Sequence, residues 1–193
     1  FKGSWLSIWL KGIGANVIGY AHQPKTNKDN YIVCGLEQKI NHIDGDIRDF
    51  EKFKKVLKKY EPEIVFHLAA QALVLNSYVS PIETYSSNIM GTVNVLQAVR
   101  GIKSVKAAVI ITSDKCYENI NEMYNYQETD RLGGDDPYST SKAACELIVN
   151  SYIKSFFQKA DSVNIASARA GNVIGGGDWA QDRIVPDCMR AWN

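Results

Sequence analysis

Apolar positions along the chain follow two periods in turn. Short apolar runs at 15–20 (ANVIGY), 39–43, 63–68 (EIVFHL), 106–112 and 162–170 have the length and composition of buried strands. Between them apolar residues recur every three or four positions. Phe50, Phe53, Val56, Leu57 and Tyr60 mark one such segment, and Ile82, Tyr85, Ile89, Val93 and Leu96 mark a longer one that begins after Pro81. Helices are also expected at the start, where Leu6, Ile8 and Leu10 precede the breakers Gly12 and Gly14, and from Tyr138 to about residue 158. Residues 22–34 and 116–136 are polar and turn-rich and read as loops, the second long enough to cover a ligand. Apolar strands alternating with helices predict an α/β fold with a doubly wound parallel sheet covered on both faces.

A helix followed at once by a strand implies a strand before that helix, and none precedes Phe1. The expectation is therefore a sequence that lacks its natural beginning, first strand included, and that also stops mid-pattern at Asn193.

Composition narrows the function classes. A net charge of +1 excludes a general polyanion binder, so no nucleic-acid partner is expected. Lys52, Lys54, Lys55, Lys58 and Lys59 sit between the apolar positions of their segment and read as a solvated helix face. No apolar run reaches the roughly 20 residues that span a bilayer, so no membrane partner is expected. Cys34, Cys116, Cys145 and Cys188 have neither close pairing nor metal-type spacing. They read as free thiols of a reducing cytoplasm, with no metal site.

Candidate chemistry gathers in three stretches: Thr112 to Lys115, Tyr138 to Lys142, and Arg169 to Trp179. Tyr138 and Lys142 are four residues apart, on one face of a helix. A lysine ammonium there favours the phenolate and makes the tyrosine usable as a base near neutral pH. The same spacing also arises by chance, as an exposed tyrosine beside a solvated lysine. Ser113, Asp114 and Lys115 supply the context, because they follow the strand at 106–112 and open α/β sheets bind ligands at the carboxyl ends of their strands.

The segments DGDIRD (44–49), HLAAQ (67–71), SNIMGT (87–92) and YSTSK (138–142) resemble the extended short-chain dehydrogenase/reductase superfamily. FKGSWLS (1–7), TSDKCY (112–117), ARAGNVIGGGDW (168–179) and DRIVPD (182–187) are most similar to the CDP-glucose 4,6-dehydratases within it. The resemblance covers nearly the whole chain. It implies a Rossmann-type NAD-binding domain over residues 1–170 and the start of a substrate-binding region over 171–193. Gly3 would end the glycine-rich turn under the cofactor pyrophosphate, and Asp46 and Ile47 would contact the adenine. Ala69, Ala70 and Gln71 would line the cofactor, Asn88 would support a proton relay, and Tyr138 and Lys142 would form the catalytic pair. Ser113, Asp114 and Lys115 stand where nucleotide-sugar 4,6-dehydratases commonly carry Thr-Asp-Glu. The glutamate of that set removes the C5 proton, and a lysine replaces it in the CDP-glucose members. Ser113 and Asn172 would approach the substrate, and Arg183 is a candidate phosphate partner. For Asn172 and Arg183 a plain connecting loop is the other reading. The segment Gly19-Tyr20-Ala21-His22-Gln23 has no acid for an adenosine ribose, so NAD follows from the resemblance alone.

The implied activity is oxidation at C4 of a nucleotide-activated glucose, CDP-glucose above all, water loss across C5 and C6, and hydride return to C6. In this mechanism Lys115, or a group it positions, takes the C5 proton and Asp114 protonates the departing 6-hydroxyl. The resemblance further implies a cytoplasmic homodimer serving deoxysugar synthesis for lipopolysaccharide O-antigen. Two alternatives stand beside it. One is an NAD-dependent nucleotide-sugar 4-epimerase, which needs no acid for water loss. The other is a non-catalytic, cofactor-sensing Rossmann protein, which needs none of Tyr138, Lys142 and Asp114.

Overall fold

The computed structural model describes residues 1–192; Asn193, the last residue of the expected substrate-binding region, lies outside the described residues. The chain forms two compact units, one of Phe1–Asp46 with the segment from Asn172 onward, the other of Ile47–Gly171.

In the first unit, helix α1 (Lys2–Gly12) ends where the sequence places its glycines. Gly14 takes a φ of +91°, which costs a glycine little. Its N–H bonds Lys11 O at 3.0 Å while Ala15 N–H bonds Leu10 O at 3.0 Å, a Schellman closure. Strand β1 (Ile18–Ala21) pairs in parallel with β2 (Asn41–Asp44), Ile18 opposite Asn41. The segment expected to be a loop at 22–34 contains a short helix, α2 (Asn30–Val33), with a 3-10 turn after it at Leu36–Gln38. A single turn carries too few periodic positions to stand out from a polar sequence.

The second unit begins with α3 (Phe50–Tyr60), whose N-cap Asp49 accepts from Lys52 N–H at 3.0 Å. Phe53 and Leu57 are buried and the lysines face outward, as a solvated face requires. Strands β3 (Ile64–His67), β4 (Ala107–Ile111) and β5 (Asn164–Ala168) form a parallel sheet in that order. The run between β3 and β4 holds three helical pieces, α4 (Val74–Val79), α5 (Pro81–Tyr85) and α6 (Gly91–Arg100). A π turn at Ser86–Met90 joins the last two, so that Gly91 N–H reaches back to Ser86 O. Helix α7 (Pro137–Phe156) precedes β5. The periodicity of the long segment after Pro81 survives the π turn, whereas α4 was not expected. In the first unit, α8 (Ile184–Trp192) occupies the tail and was likewise not expected.

The core of the second unit lies between the sheet and helices α6 and α7. Val95, Leu96, Ala98 and Val99 of α6, Ala108 and Ile110 of β4, and Ala143, Cys145 and Val149 of α7 are all buried. The two faces of the sheet differ. Val65 and His67 of β3 are buried, whereas Ile64 is 55% exposed and Phe66 37%. An apolar run reads as two-sided burial, but burial along β3 alternates with the period of a strand. The α/β class and the parallel pairing are as expected.

His67 is the buried histidine of this core, with Nε2 3.3 Å from Thr92 Oγ1. Burial, then the Lys142 charge, pushes its imidazole down to about 3 from 6.5. The unfolded chain takes up a proton that the native state excludes, so this contribution is complete above pH 6.5 and declines as pH falls towards about 3. Lowering the pH to about 5 is expected to cost about 2 kcal/mol of stability, read as a falling urea midpoint. His67→Gln should flatten that slope; an unchanged slope in the variant would assign the acid sensitivity elsewhere.

Candidate active site

Strand β4 delivers the Thr112–Lys115 stretch to the carboxyl end of the sheet. The ladder with β5 continues past both strands, through Thr112 N–H to Ala168 O at 2.9 Å and Asp114 N–H to Ala170 O at 3.1 Å. There the chain turns into a 3-10 helix at Asp114–Cys116, capped by Ser113. Ser113 Oγ donates to Asp114 Oδ1 at 2.9 Å and accepts from Lys115 N–H at 3.3 Å. Ser113 is buried, while Asp114 and Lys115 are exposed. Asp114 and Lys115 line a cavity of about 440 Å³ with Tyr117, Tyr126, Asp136 and Ser139 among its other walls.

Helix α7 supplies the second cluster. Asp136 caps it by accepting from Ser139 N–H at 2.9 Å and Ser139 Oγ at 2.6 Å, and Pro137 fills the first helical position. Gly134 packs so closely that an added Cβ would lie 2.5 Å from the Thr140 nitrogen, so no larger residue fits without moving backbone. Tyr138 is half-buried and the Lys142 ammonium lies 6.0 Å from its ring centre. Lys142 is only 6% exposed, with Nζ donating to Ile111 O at 3.3 Å at the end of β4. The reading of a solvated lysine beside an exposed tyrosine is thereby excluded.

Asn88 is 1% exposed, which excludes an exposed helix position for it. Its Oδ1 accepts from Gln71 N–H at 2.8 Å, and its Nδ2 donates to Gln71 O at 3.0 Å and Ser141 Oγ at 2.8 Å. Ser141 Oγ in turn donates to Tyr138 O at 2.6 Å. Within the π turn, Asn88 O accepts from Thr92 Oγ1 at 2.7 Å and Cys145 Sγ at 3.2 Å. The Gln71 side chain folds back on Leu73 and Thr84. Ala69 is exposed and Ala70 half-buried at the end of β3. Ile47 is buried, and its carbonyl accepts from Asn94 Nδ2 at 2.9 Å.

Sequence reasoning missed Glu146, one turn beyond Lys142. It is 6% exposed and accepts hydrogen bonds from Thr112 Oγ1, from Ser167 Oγ at 3.0 Å and from Arg169 Nη2 at 2.9 Å. Burial pushes its carboxyl up, but these bonds and the guanidinium charge outweigh burial and hold it below the ordinary carboxylate range. The helical spacing from Lys142 was visible, but burial of the carboxylate was not.

The remaining expected site residues belong to the first unit. Gly3 lies exposed in the first turn of α1. Asp46 follows β2; its carbonyl accepts from Tyr20 Oη at 2.9 Å and its carboxylate lies 3.6 Å from His22 Nε2. Asn172 is exposed, and Arg183 Nη1 donates to Asp178 Oδ2 at 2.8 Å. All four cysteines are free thiols, and burial pushes that of Cys116 up to about 11. Among the described residues no group of histidine, cysteine and carboxylate side chains could hold a metal ion, and no helix is long and apolar enough to cross a membrane.

Parallel strands and a buried lysine one turn beyond a tyrosine at the sheet's carboxyl end mark a Rossmann-type protein of the short-chain dehydrogenase/reductase class. Within that class the chain belongs to the GDP-mannose 4,6 dehydratase family, which matches residues 1–172. A CDP-glucose 4,6-dehydratase of Salmonella typhimurium is 50% identical over the whole of this chain and 55% of that protein. A Thermus thermophilus UDP-glucose 4-epimerase in complex with NAD superposes with a TM-score of 0.80 at 26% identity, over 94% of this chain and 56% of that one. A Bacillus anthracis dTDP-glucose 4,6-dehydratase has the same fold, with a TM-score of 0.82 at 20% identity over all of this chain and 58% of that one. The chain thus spans little more than half the length of these relatives.

Proposed function

We propose that the full-length protein catalyses NAD-dependent dehydration of CDP-glucose to its 4-keto-6-deoxy sugar. The observation that carries the reading is the second unit's pairing of Tyr138 and Lys142 on α7 with Ser113, Asp114 and Lys115 at the end of β4. An epimerase needs the first set but not an acid for water loss. The 50% identity to a CDP-glucose 4,6-dehydratase supports the same choice.

The residues suit NAD as cofactor. Ala69 and Ala70 end β3 with methyl side chains and let a flat group approach the backbone. The Asn88–Gln71 bonds hold that strand end, and Lys142 puts a buried cation beside Tyr138. Gly3, Asp46 and Ile47 are the other residues we assign to it. When bound, NAD would supply the hydride acceptor for C4 and the hydride donor for C6. Tyr138 Oη takes the proton of the 4-hydroxyl, its phenolate favoured by the Lys142 charge. The new ketone acidifies the C5 hydrogen. Lys115, or a group it positions, takes the C5 proton, and the positive charge beside Asp114 steadies the enolate that forms. Asp114, oriented by Ser113 Oγ, passes a proton to the departing 6-hydroxyl. Asn172 and Arg183 serve the sugar nucleotide, with Asp178 holding Arg183 in place.

We assign the protein to the cytoplasm, where four free thiols persist, and to deoxysugar synthesis of the O-antigen kind. A homodimer through α5–α6 and α7 fits the apolar side chains these helices expose, Ile82, Met90 and Leu147.

CDP-glucose incubated with the protein is expected to lose one water, and product made in deuterated water should carry deuterium at C5. Product of unchanged mass would replace the dehydratase reading with an epimerase. Lys115→Ala is expected to lower turnover by about 100-fold while calorimetric substrate binding persists. Wild-type turnover in that variant would remove Lys115 from the mechanism.

A further inference from the structure

Arg169 leaves β5 and joins three elements of the second unit. Its Nη2 bonds the buried Glu146 carboxylate, while its Nη1 donates to Tyr117 Oη at 2.9 Å and to Glu128 O at 3.0 Å. The guanidinium carbon also lies 4.9 Å from the centre of the Tyr117 ring. That ring also stacks on Tyr126, with centroids 4.8 Å apart and planes 15° from parallel. Tyr126 Oη then donates to Glu118 O at 2.9 Å. Both tyrosines wall the cavity that holds Asp114 and Lys115. At its base the loop is closed by a narrow antiparallel ladder, Glu118 N–H to Arg131 O at 2.9 Å and Gly133 N–H to Cys116 O at 2.9 Å. Beyond that base its side chains are largely polar and exposed, so little apolar burial holds it in one conformation.

We propose that Arg169 is a positioning residue, a latch that couples the catalytic helix through Glu146 to the 117–132 loop and holds the Tyr117–Tyr126 wall over the sugar of a bound nucleotide sugar. The substrate part rests on the function proposed above. Arginine suits the task because its planar fork engages a carboxylate, a phenol and a carbonyl at once. A lysine could neutralise Glu146 but has no second arm for the loop. A loop ordered before substrate arrives spares binding the cost of ordering it, so loss of the latch falls on KM more than on kcat.

The test measures amide hydrogen exchange without substrate and steady-state kinetics with CDP-glucose, in wild type, Arg169→Lys and Tyr117→Phe. In Arg169→Lys the Glu118 and Gly133 amides should exchange about 10-fold faster or more, while the Thr112 and Asp114 amides of the β4–β5 ladder keep their protection. KM should rise by about 10-fold with kcat nearly unchanged. Tyr117→Phe, which leaves the Glu146–Arg169 pair whole, should show a smaller change in the same direction. Unchanged protection of the loop amides in both variants overturns the latch. So does a fall in kcat at unchanged KM. If Arg169→Lys also loosens the β4–β5 ladder, Tyr117→Phe decides, and an unaltered loop there overturns the proposal. If no nucleotide sugar is turned over, the functional reading fails and the exchange measurement still decides the latch.

Discussion

The second unit depends on one buried carboxylate. Glu146 is drawn out of water on α7, and removing a carboxylate from water is strongly unfavourable unless its lone pairs are filled. Thr112 at the end of β4, Ser167 on β5 and Arg169 just beyond β5 fill them. Because those partners sit on two strands, the helix has one depth and one rotation at which the charge is satisfied. Tyr138, Lys142 and Glu146 follow at four-residue steps, so the setting that satisfies Glu146 also places Lys142 against the Ile111 carbonyl and Tyr138 towards the strand end. The geometry of the Tyr138–Lys142 pair therefore follows from how a third side chain of the same helix is satisfied.

A second polar lattice fixes the other side of α7. Asn88 spans the end of β3 and the helix through Gln71 and Ser141. Asn88 O also takes side-chain bonds from Thr92 and Cys145. With a parallel sheet beneath, the two networks support α7 at its first turns and again at its middle.

Much of this was legible from periodicity. The five strands fall within about two to three residues of their apolar runs, α3 has the buried and exposed faces its pattern predicts, and Gly14 caps α1. The Tyr138–Lys142 spacing and the position of Asp114 after β4 were visible as chemistry. Three kinds of feature were not. Short helices such as α2 and α4 have too few turns to show a period. The burial of one face of β3 and not the other depends on which neighbours cover it. Glu146 and Arg169 are separated by 23 positions, and a glutamate four residues after a lysine reads as a surface ion pair. Only tertiary contact turns it into a buried hub. Arg183, read as a phosphate partner, also pairs with Asp178, a contact that the sequence did not show.

The most direct test of a buried hub is a double-mutant cycle in urea unfolding, comparing Glu146→Leu, Arg169→Leu and the double variant. Removing Glu146 alone leaves a partly buried guanidinium unpaired and should cost about 3–5 kcal/mol. Adding Arg169→Leu should then recover part of that loss, giving a coupling energy of about 1 kcal/mol or more. Strictly additive costs would contradict the central place of this pair and leave the position of α7 to apolar packing and the Asn88 network.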